Sequence, residues 1–557
     1  MKYLHRIRPK RADLTIDLIA GLTFAIVNIP QAMANALLAS VNPVYGLRTL
    51  ILATPVAALS TGAVYMNVST TSALSLATAD ALFGIKEQSV PINLTLLVLM
   101  VGAIQIVAGI LKLGSLVRFV AKSVMVGFTT GIALLIVMGQ LDGLTGYSSH
   151  FRGSLLKFAD TVLSWQDYDL ATLGIGLLTI GIILLLNHTR IRKVSLAVAL
   201  VVATIVNWVL SLPGVELVGQ TVSTSGATTG NIFSGDWQIS PYIFSGAVAI
   251  AIIGLIQGAG VSQSYPNPDG KYPNVSRDFF GQGLANVVAS LWQGIPAGGS
   301  MSGTSLVVSS GQRTRLANVF AGLLILPLVF VFSTFIKQVP MTTLSALLIV
   351  VGVQSLQPEQ VRTIWFTGPI PRMSFGITLI ATLTLPLQYA VFIGVAVSFL
   401  LYVFRASNQV SVSRLTMVPN GYPIEVDVPK TLGDDDTVVL QLYGSLFFAS
   451  AAKLEERLPD PATGHGTVVI LRLRGRDEIG STLIGLLQRY ADSLKSTGNR
   501  MILCGVSEPV FEQMRRTGLV RSLGEGGVHI EQPQLGASLN AALTVAERWH
   551  AKGAPAS

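Results

Sequence analysis

Charge, cysteine and histidine are all scarce in this chain. Only 12% of its 557 residues are Asp, Glu, Lys or Arg, and the mean hydropathy is +0.59. That excludes a soluble protein of this size and predicts an integral membrane protein, because several apolar runs are long enough to cross a bilayer. The single cysteine, Cys504, excludes an intrachain disulfide and cannot by itself make a metal site. It reads as a small buried hydrophobe in a reducing compartment. The six histidines form no cluster, and neither a Walker loop nor a nucleophile triad is evident. No enzyme, metal or organic cofactor is predicted. The net charge of +9 could suggest nucleic acid. Its basic residues, however, sit in short clusters between apolar runs, the pattern that orients membrane helices, and no nucleic acid partner is predicted.

What is present is a succession of apolar segments, near residues 16–38, 45–59, 70–83, 92–113, 124–141, 173–186, 195–212, 243–259, 280–295, 304–310, 316–335, 342–353, 374–387 and 389–404. The first follows a basic stretch, MKYLHRIRPKRAD, that could pass for a signal peptide. Pro30 and Gln31 lie inside it and apolar sequence resumes after Pro43, so a retained helix is predicted. About fourteen segments divide into seven plus seven, and an odd number per half makes the halves inverted. With the N-terminus inside, the inner loops collect Lys2, Arg6, Arg8, Lys10 and Arg11, then Lys112, Arg118 and Lys122, then Arg190, Arg192 and Lys193, and later Lys271, Arg277, Arg313, Arg315, Arg362, Arg372 and Arg405. The outer loops hold only Lys86, Arg152, Lys157 and Lys337, with Arg48 near an outer end. This bias predicts a multi-pass protein of the plasma (inner) membrane with a cytoplasmic N-terminus.

Two segments are too short to span. The run Thr304 to Ser310, within IPAGGSMSGTSLVVSSG, would rise roughly 10 Å against a hydrocarbon core of about 30 Å. In the first half, VYMNV is followed by the hydroxyl cluster Ser69, Thr70, Thr71, Ser72 and then by a short helical run. Short, Gly- or Ser/Thr-interrupted segments in matching halves point to a transporter binding site, where helix N-termini supply free N–H groups and positive dipole ends. After Arg405 the composition turns soluble: strands near 438–443, 467–473 and 500–504 alternate with helices near 449–457, 481–495, 509–517 and 537–550, predicting a small α/β domain on the cytoplasmic side.

Several motifs resemble those of the sulfate permease (SulP) family of anion transporters. They are DLIAGLTFAIVNIPQAMANALLASVNPVYGL in the first segments, then KSVMVGFTTGIAL, GQGLANVVASLWQGIPAGGSMSGTS followed by Gly-x-Arg-Thr, and LSALLIVVG. GSLFFASA and an Ile-Gly-Ser-Thr turn resemble the STAS domain that ends such transporters. The resemblance implies an α-helical polytopic fold with a 7+7 inverted repeat and a C-terminal STAS domain. It divides the chain into a basic N-terminus 1–14, a transporter domain 15–405 (core 15–113 and 243–335, gate 124–212 and 342–405), a linker 406–425 and the STAS domain 426–551. It implies elevator-type secondary transport of a small inorganic anion, sulfate or bicarbonate, with dicarboxylates, uncoupled conduction and an anion sensor as alternatives. A homodimer and a cytoplasmic partner at the STAS domain are further expectations.

The anion would sit between the N-termini of the third and tenth segments. Candidate ligands are Ser302, Gly303 and Thr304 on one side and Ser69, Thr70 and Thr71 on the other, with each hydroxyl also able to act as a helix cap. Gln31, beside Pro30, is a polar amide at membrane depth and joins the set. Gln257, in GLIQGAG, completes it. Many animal members carry Arg where Gly303 stands, and Ser69-Thr70 replaces the family's Gly-Pro. Many relatives have an acidic residue at Gln257, and a neutral amide neither carries a proton at physiological pH nor pairs strongly with Na⁺. The coupling ion therefore stays open. Asp80 reads as a solvated residue near the outer end, Asp278 as a cap of the ninth segment, and Ser481 aligns with a phosphorylated serine of regulatory STAS proteins but reads as a cap. Thr304→Trp is expected to abolish transport without unfolding the protein.

Overall fold

The computed structural model describes residues 11–86, 89–115, 120–151, 154–189, 191–220, 241–418, 422–444, 446 and 450–551, in two compact units that divide after Ser398. The stretch 1–10, Arg118, Arg152, Arg190, the Ser/Thr/Gly-rich loop 221–240, and Asn420 and Gly421 of the expected linker lie outside the described residues.

In the first unit the order is α1 (Arg11–Leu38), α2 (Pro43–Ser60), β1 (Val68–Thr70), α3 (Ser72–Ala81), α4 (Val90–Ile110), α5 (Lys122–Gly139), the short α6 (Leu141–Thr145) and α7 (Ser154–Leu163), α8 (Leu170–Asn187) and α9 (Ser195–Leu210). It continues with α10 (Pro241–Ser264), α11 (Val275–Ser290), β2 (Ala297–Gly299), α12 (Met301–Ser309), α13 (Leu316–Val331), the short α14 (Ser333–Lys337), α15 (Met341–Ser355), α16 (Pro358–Thr367), α17 (Pro369–Thr384) and α18 (Leu387–Asn408), of which the residues up to Ser398 belong to this unit. Every apolar segment read from the sequence has its helix. Among the described residues nine helices are long and apolar enough to cross a membrane, and α3 and α12 are not among them.

Lipid removes the hydrophobic drive between helices, so close packing and polar contacts must hold them. Glycines let backbones approach: a Cβ on Gly102 would lie 2.8 Å from the Gly283 carbonyl, which seats α4 against α11. One group of packed helices pairs α1 with α2 and α13, α2 with α11 and α13, α4 with α10 and α11, and α3 with α10. A second pairs α5 with α15 and α17, and α8 with α9 and α15; α1 and α3 touch members of it.

Buried carboxylates tie the ends of the first group. Asp278 is wholly buried, and its Oδ1 accepts from Gly62 N at 2.7 Å and Ala63 N at 2.8 Å, while Oδ2 accepts from Ser262 Oγ at 2.7 Å. The expected helix cap is instead Asn274, which accepts from Arg277 N; α11 thus starts at Val275 rather than near 280, because its first turn is polar. Asp17, also wholly buried, accepts from Arg313 N at 2.8 Å and Thr314 N at 3.2 Å. Arg315 donates to Ala58 O, Thr61 O and Gly62 O, placing a cation where the C-terminal carbonyls of α2 gather. Asp80 is half-buried rather than merely solvated: its Oδ2 accepts from Leu387 N at 2.8 Å, so it caps α18.

The second unit holds β3 (Ser411–Thr416), β4 (Ile424–Val426), β5 (Thr437–Tyr443), α19 (Ala451–Glu455), β6 (Val468–Arg472), α20 (Ser481–Ser496), β7 (Arg500–Val506), α21 (Glu508–Thr517), α22 (Leu519–Leu523), β8 (Val528–Ile530) and α23 (Ala537–Ala551). The sheet order is β4-β3-β5-β6-β7-β8, parallel from β5 to β8 and antiparallel at β3 and β4. β6 reads as an unbroken apolar run because both faces are covered: Val469 and Leu471 belong to the core with α20 and α21, Val468 and Ile470 to the core with α23. Part of the expected linker is therefore sheet. β4 is exposed along its length and β3 mostly half-buried, so neither shows the apolar run that marks an inner strand. Ser481 does not cap α20; it is the exposed first helical residue after Gly480, which carries no side-chain cap.

Cys504 lies in β7, wholly buried, and burial pushes its thiol up to about 12. Since the thiolate is the nucleophile, maleimide labelling of the native protein at pH 8 is expected to run at least about a hundredfold slower than for free cysteine and to recover on unfolding. Fast stoichiometric labelling of native protein would contradict this burial.

Candidate functional site

The two short segments meet. β1 and β2 pair antiparallel, with Val68 opposite Gly299, Ser69 opposite Gly298 and Thr70 opposite Ala297. α3 leaves the ladder just beyond Thr70 and α12 just beyond Gly299, so the helices run apart while their N-terminal ends face each other. The three paired positions separate those ends by two strand rises, about 7 Å, plus the capping residues.

Polar side chains and glycine build this ladder. Ala297 N donates to Asn286 Oδ1 at 2.8 Å, Asn286 Nδ2 to Ala297 O at 2.9 Å, and Gly299 N to Gln282 Oε1 at 3.1 Å, which fixes β2 on α11. Thr54 Oγ1 donates to Val68 O at 2.8 Å on the other edge. A Cβ on Gly299 would lie 2.6 Å from Gly258 Cα, so only glycine lets β2 rest against α10. Asn67 joins the halves: its O accepts from Ser300 N at 2.8 Å, its N donates to Thr304 Oγ1 at 3.0 Å, and its Nδ2 donates to Asn318 Oδ1 at 2.8 Å.

Each half-helix is capped by the residue before it. Thr71 Oγ1 accepts from Leu74 N and lies 3.1 Å from Gln257 Oε1, to which it donates; Ser300 Oγ accepts from Gly303 N at 3.0 Å. The earlier N–H groups, at Ser72 and Ala73 and at Met301 and Ser302, have no acceptor within their own helices. Each helix start carries roughly half a positive charge. Together they form a pair of electropositive ends with hydroxyl and amide groups around them, and no ionised residue has been needed to make it.

Two cavities lie between the two groups of helices. One of about 60 Å³ is lined by Val124, Phe128, Thr129, Gln257, Thr378 and Gly394, and so reaches the amide that Thr71 holds. The other, about 1010 Å³, is lined by Leu76 and Asp80 of α3 together with Asp142, Lys157, Glu216 and Thr384.

Residues 14–381 match the sequence profile of the sulfate permease family, and residues 428–532 match that of the STAS domain. The chain belongs to the sulfate permease family. It is 26% identical over 524 residues to the putative sulfate transporter YvdB of Bacillus subtilis, covering 91% of this chain and 94% of that one. It is 27% identical over 540 residues to the probable sulfate transporter Rv1739c of Mycobacterium tuberculosis, covering 94% and 95%. The murine Solute Carrier 26 family member A9 anion transporter, solved in the inward-facing state, superposes with a TM-score of 0.83 at 18% identity over 98% of this chain and 94% of that chain. The transmembrane domain of a cyanobacterium bicarbonate transporter, BicA, superposes at 0.57 and 20% identity, covering 70% and 98%. At these identities the structural likeness is one of fold: a helical membrane transporter, here with a C-terminal STAS domain.

Within this chain the candidate residues divide. Ser69, Thr70, Thr71 and Gln257 gather at the start of α3; Ser69 is buried, and among the described residues its hydroxyl has no partner. Gln31 is half-buried on α1, one turn before Asn35. On the other side Ser302 is exposed at the first turn of α12, 3.3 Å from Ser300 Oγ. The helix begins at Met301, three residues before the expected start, because Ser300 rather than Ser302 or Thr304 is its cap. A Cβ on Gly303 would lie 2.8 Å from Asn67 Oδ1, which leaves no place for a larger residue without rearrangement. Thr304 is wholly buried, donating to Ser300 O at 2.6 Å and accepting from Asn67 N. A tryptophan there would displace Asn67 and the ladder, so the expectation of lost transport in an intact fold is withdrawn. Asn35, Asn67, Gln282 and Asn286 were not singled out in the sequence. The available signal was an amide inside an apolar segment, the same one that marked Gln31.

Proposed function

We propose that this protein is a secondary active transporter of a small inorganic anion, sulfate or bicarbonate, that binds between the facing N-termini of α3 and α12. The antiparallel β1–β2 ladder carries this reading, since it holds two positive helix ends together inside a membrane protein and surrounds them with neutral hydrogen-bonding groups. Alternating access would come from an elevator movement of the core helices α1–α4 and α10–α13 against the gate helices α5–α9 and α15–α18. Two cavities lined by residues of both groups, one between α10 and α5, α17 and α18 and the other between α1, α3 and the second group, support that division. The distribution of Lys and Arg supports a cytoplasmic N-terminus and STAS domain, with dimer contacts and a cytoplasmic partner assigned to the latter. Gln257 cannot carry a proton, so proton coupling through a carboxylate at this position is not part of the proposal.

Purified full-length protein in proteoliposomes should take up labelled sulfate or bicarbonate saturably, each competing with the other. Uptake that ignores imposed Na⁺, pH and counter-anion gradients would reject secondary active coupling in favour of uniport. Anion binding with no uptake would reject transport in favour of a sensor that signals through the STAS domain.

A further inference from the structure

Asn35 is wholly buried in the middle of α1. Its Nδ2 donates to Thr70 O at 3.2 Å and to Thr70 Oγ1 at 3.1 Å, and its Oδ1 accepts from Ser72 Oγ at 3.0 Å. The direction of this amide is forced. A backbone carbonyl has no proton to give, so the group facing Thr70 O must be the NH₂, and the atom facing Ser72 must be the oxygen. The two hydroxyls are thereby set in opposite senses. Ser72 gives its one proton to Asn35, so its oxygen offers only lone pairs to anything else. Thr70 Oγ1 receives an amide proton and keeps its own hydroxyl proton free to donate elsewhere. Thr70 ends β1 and Ser72 is the first residue of α3, so both flank the helix start where N–H groups lack acceptors.

We propose that Asn35 is a positioning residue that gives the anion site one hydroxyl acceptor, Ser72, among its donors, and so matches it to oxyanions that retain a proton. The proposal rests on the anion site assigned above and specifies its substrate class. Bicarbonate or hydrogen phosphate can present O–H to Ser72 Oγ and its remaining oxygens to the N–H groups. Nitrate or sulfate meets the Ser72 lone pairs with another lone pair. The discriminating element is an unmade or repulsive hydrogen bond, the kind of contact from which polar sites draw selectivity.

Bicarbonate and nitrate make the clean comparison, because both are planar monoanions of similar size and differ in the O–H. Affinities for each are measured by titration calorimetry on full-length wild type, Asn35→Ala, Ser72→Ala and the double variant, with uptake KM and maximal rate measured in parallel. The wild type is expected to favour bicarbonate by about tenfold, the rough worth of one well-made hydrogen bond to a charged group. Ser72→Ala and Asn35→Ala should each erase that preference by weakening bicarbonate, and the double variant should lose no more than either single one. An unchanged bicarbonate-to-nitrate ratio in Ser72→Ala overturns the proposal even if Asn35→Ala fails to fold. A change in maximal rate or thermal stability with the ratio intact reduces Asn35 to a structural role and overturns it too. If the wild type binds and transports neither of these anions nor sulfate, the site assignment itself fails, an outcome distinct from wild-type binding with no discrimination.

Discussion

Asp278→Ala is expected to destabilise the membrane unit by about 3–5 kcal/mol and to leave little folded protein, whereas Asp278→Asn should retain most of the wild-type stability. The carboxylate closes the turn between α2 and β1 by taking two peptide protons on one oxygen, from Gly62 and Ala63, and the Ser262 hydroxyl on the other. It is wholly buried, so water cannot take over when it is removed. Two orphaned N–H groups and an empty volume are what alanine leaves behind. Asparagine keeps a carbonyl oxygen for both N–H groups and turns an NH₂ toward Ser262, whose oxygen can accept it. Thermal unfolding in detergent, followed by size-exclusion chromatography, separates the two variants. A melting temperature for Asp278→Ala equal to that of the wild type would show that the turn does not depend on this clamp.

The same residue shows where the sequence stopped being informative. Its helix was legible from apolar length, a local property, although the polar first turn hid its start at Val275, and the N–H groups it holds lie 216 and 215 positions away in the chain. No periodicity points that far. The clustering of Asp17 with Arg313 and Thr314, and of Asn67 with Thr304 and Asn318, escaped for the same reason. The interrupted third and tenth segments, by contrast, were readable because Gly, Ser and Thr break an apolar run visibly. Thr71 and Gln257 were named from sequence and stand 3.1 Å apart, although they are separated by 186 positions. Capping was the least legible feature. Ser302, Thr304 and Ser481 all had suitable side chains, yet the backbone placed the cap at Ser300 and at Gly480, because the residue that caps is decided by where the preceding strand or turn ends. Strands β3 and β4 hid in a polar stretch for a related reason: lying at or next to the open edge of the sheet, they bury little, and burial is what makes a strand's composition recognisable.

Gln257→Glu is expected to make anion uptake far more acid-dependent than it is in the wild type. Gln257 touches Thr71 at the start of α3 and lines the smaller cavity, and it is neutral. Glutamate has almost the same shape and still accepts from Thr71, but when ionised it sets a negative charge against the anion. At about 5 Å and an effective dielectric near 20, two like charges repel by roughly 3 kcal/mol, more than a hundredfold in affinity. Protonation restores a neutral side chain with an O–H in place of the N–H, and most of that loss should return. Because the anion disfavours the ionised carboxylate, binding of the anion and of the proton must strengthen each other, so affinity rises as pH falls. The ratio of uptake KM at pH 8.5 to that at pH 5.5 in proteoliposomes, with the concentration of the transported anion held equal, should therefore be at least tenfold larger for the variant than for the wild type. The variant should also respond more strongly than the wild type to an inward proton gradient. Flat KM values in the variant would remove residue 257 from the anion's surroundings, and leave the Thr71–Gln257 contact as a bond that only fastens α3 to α10.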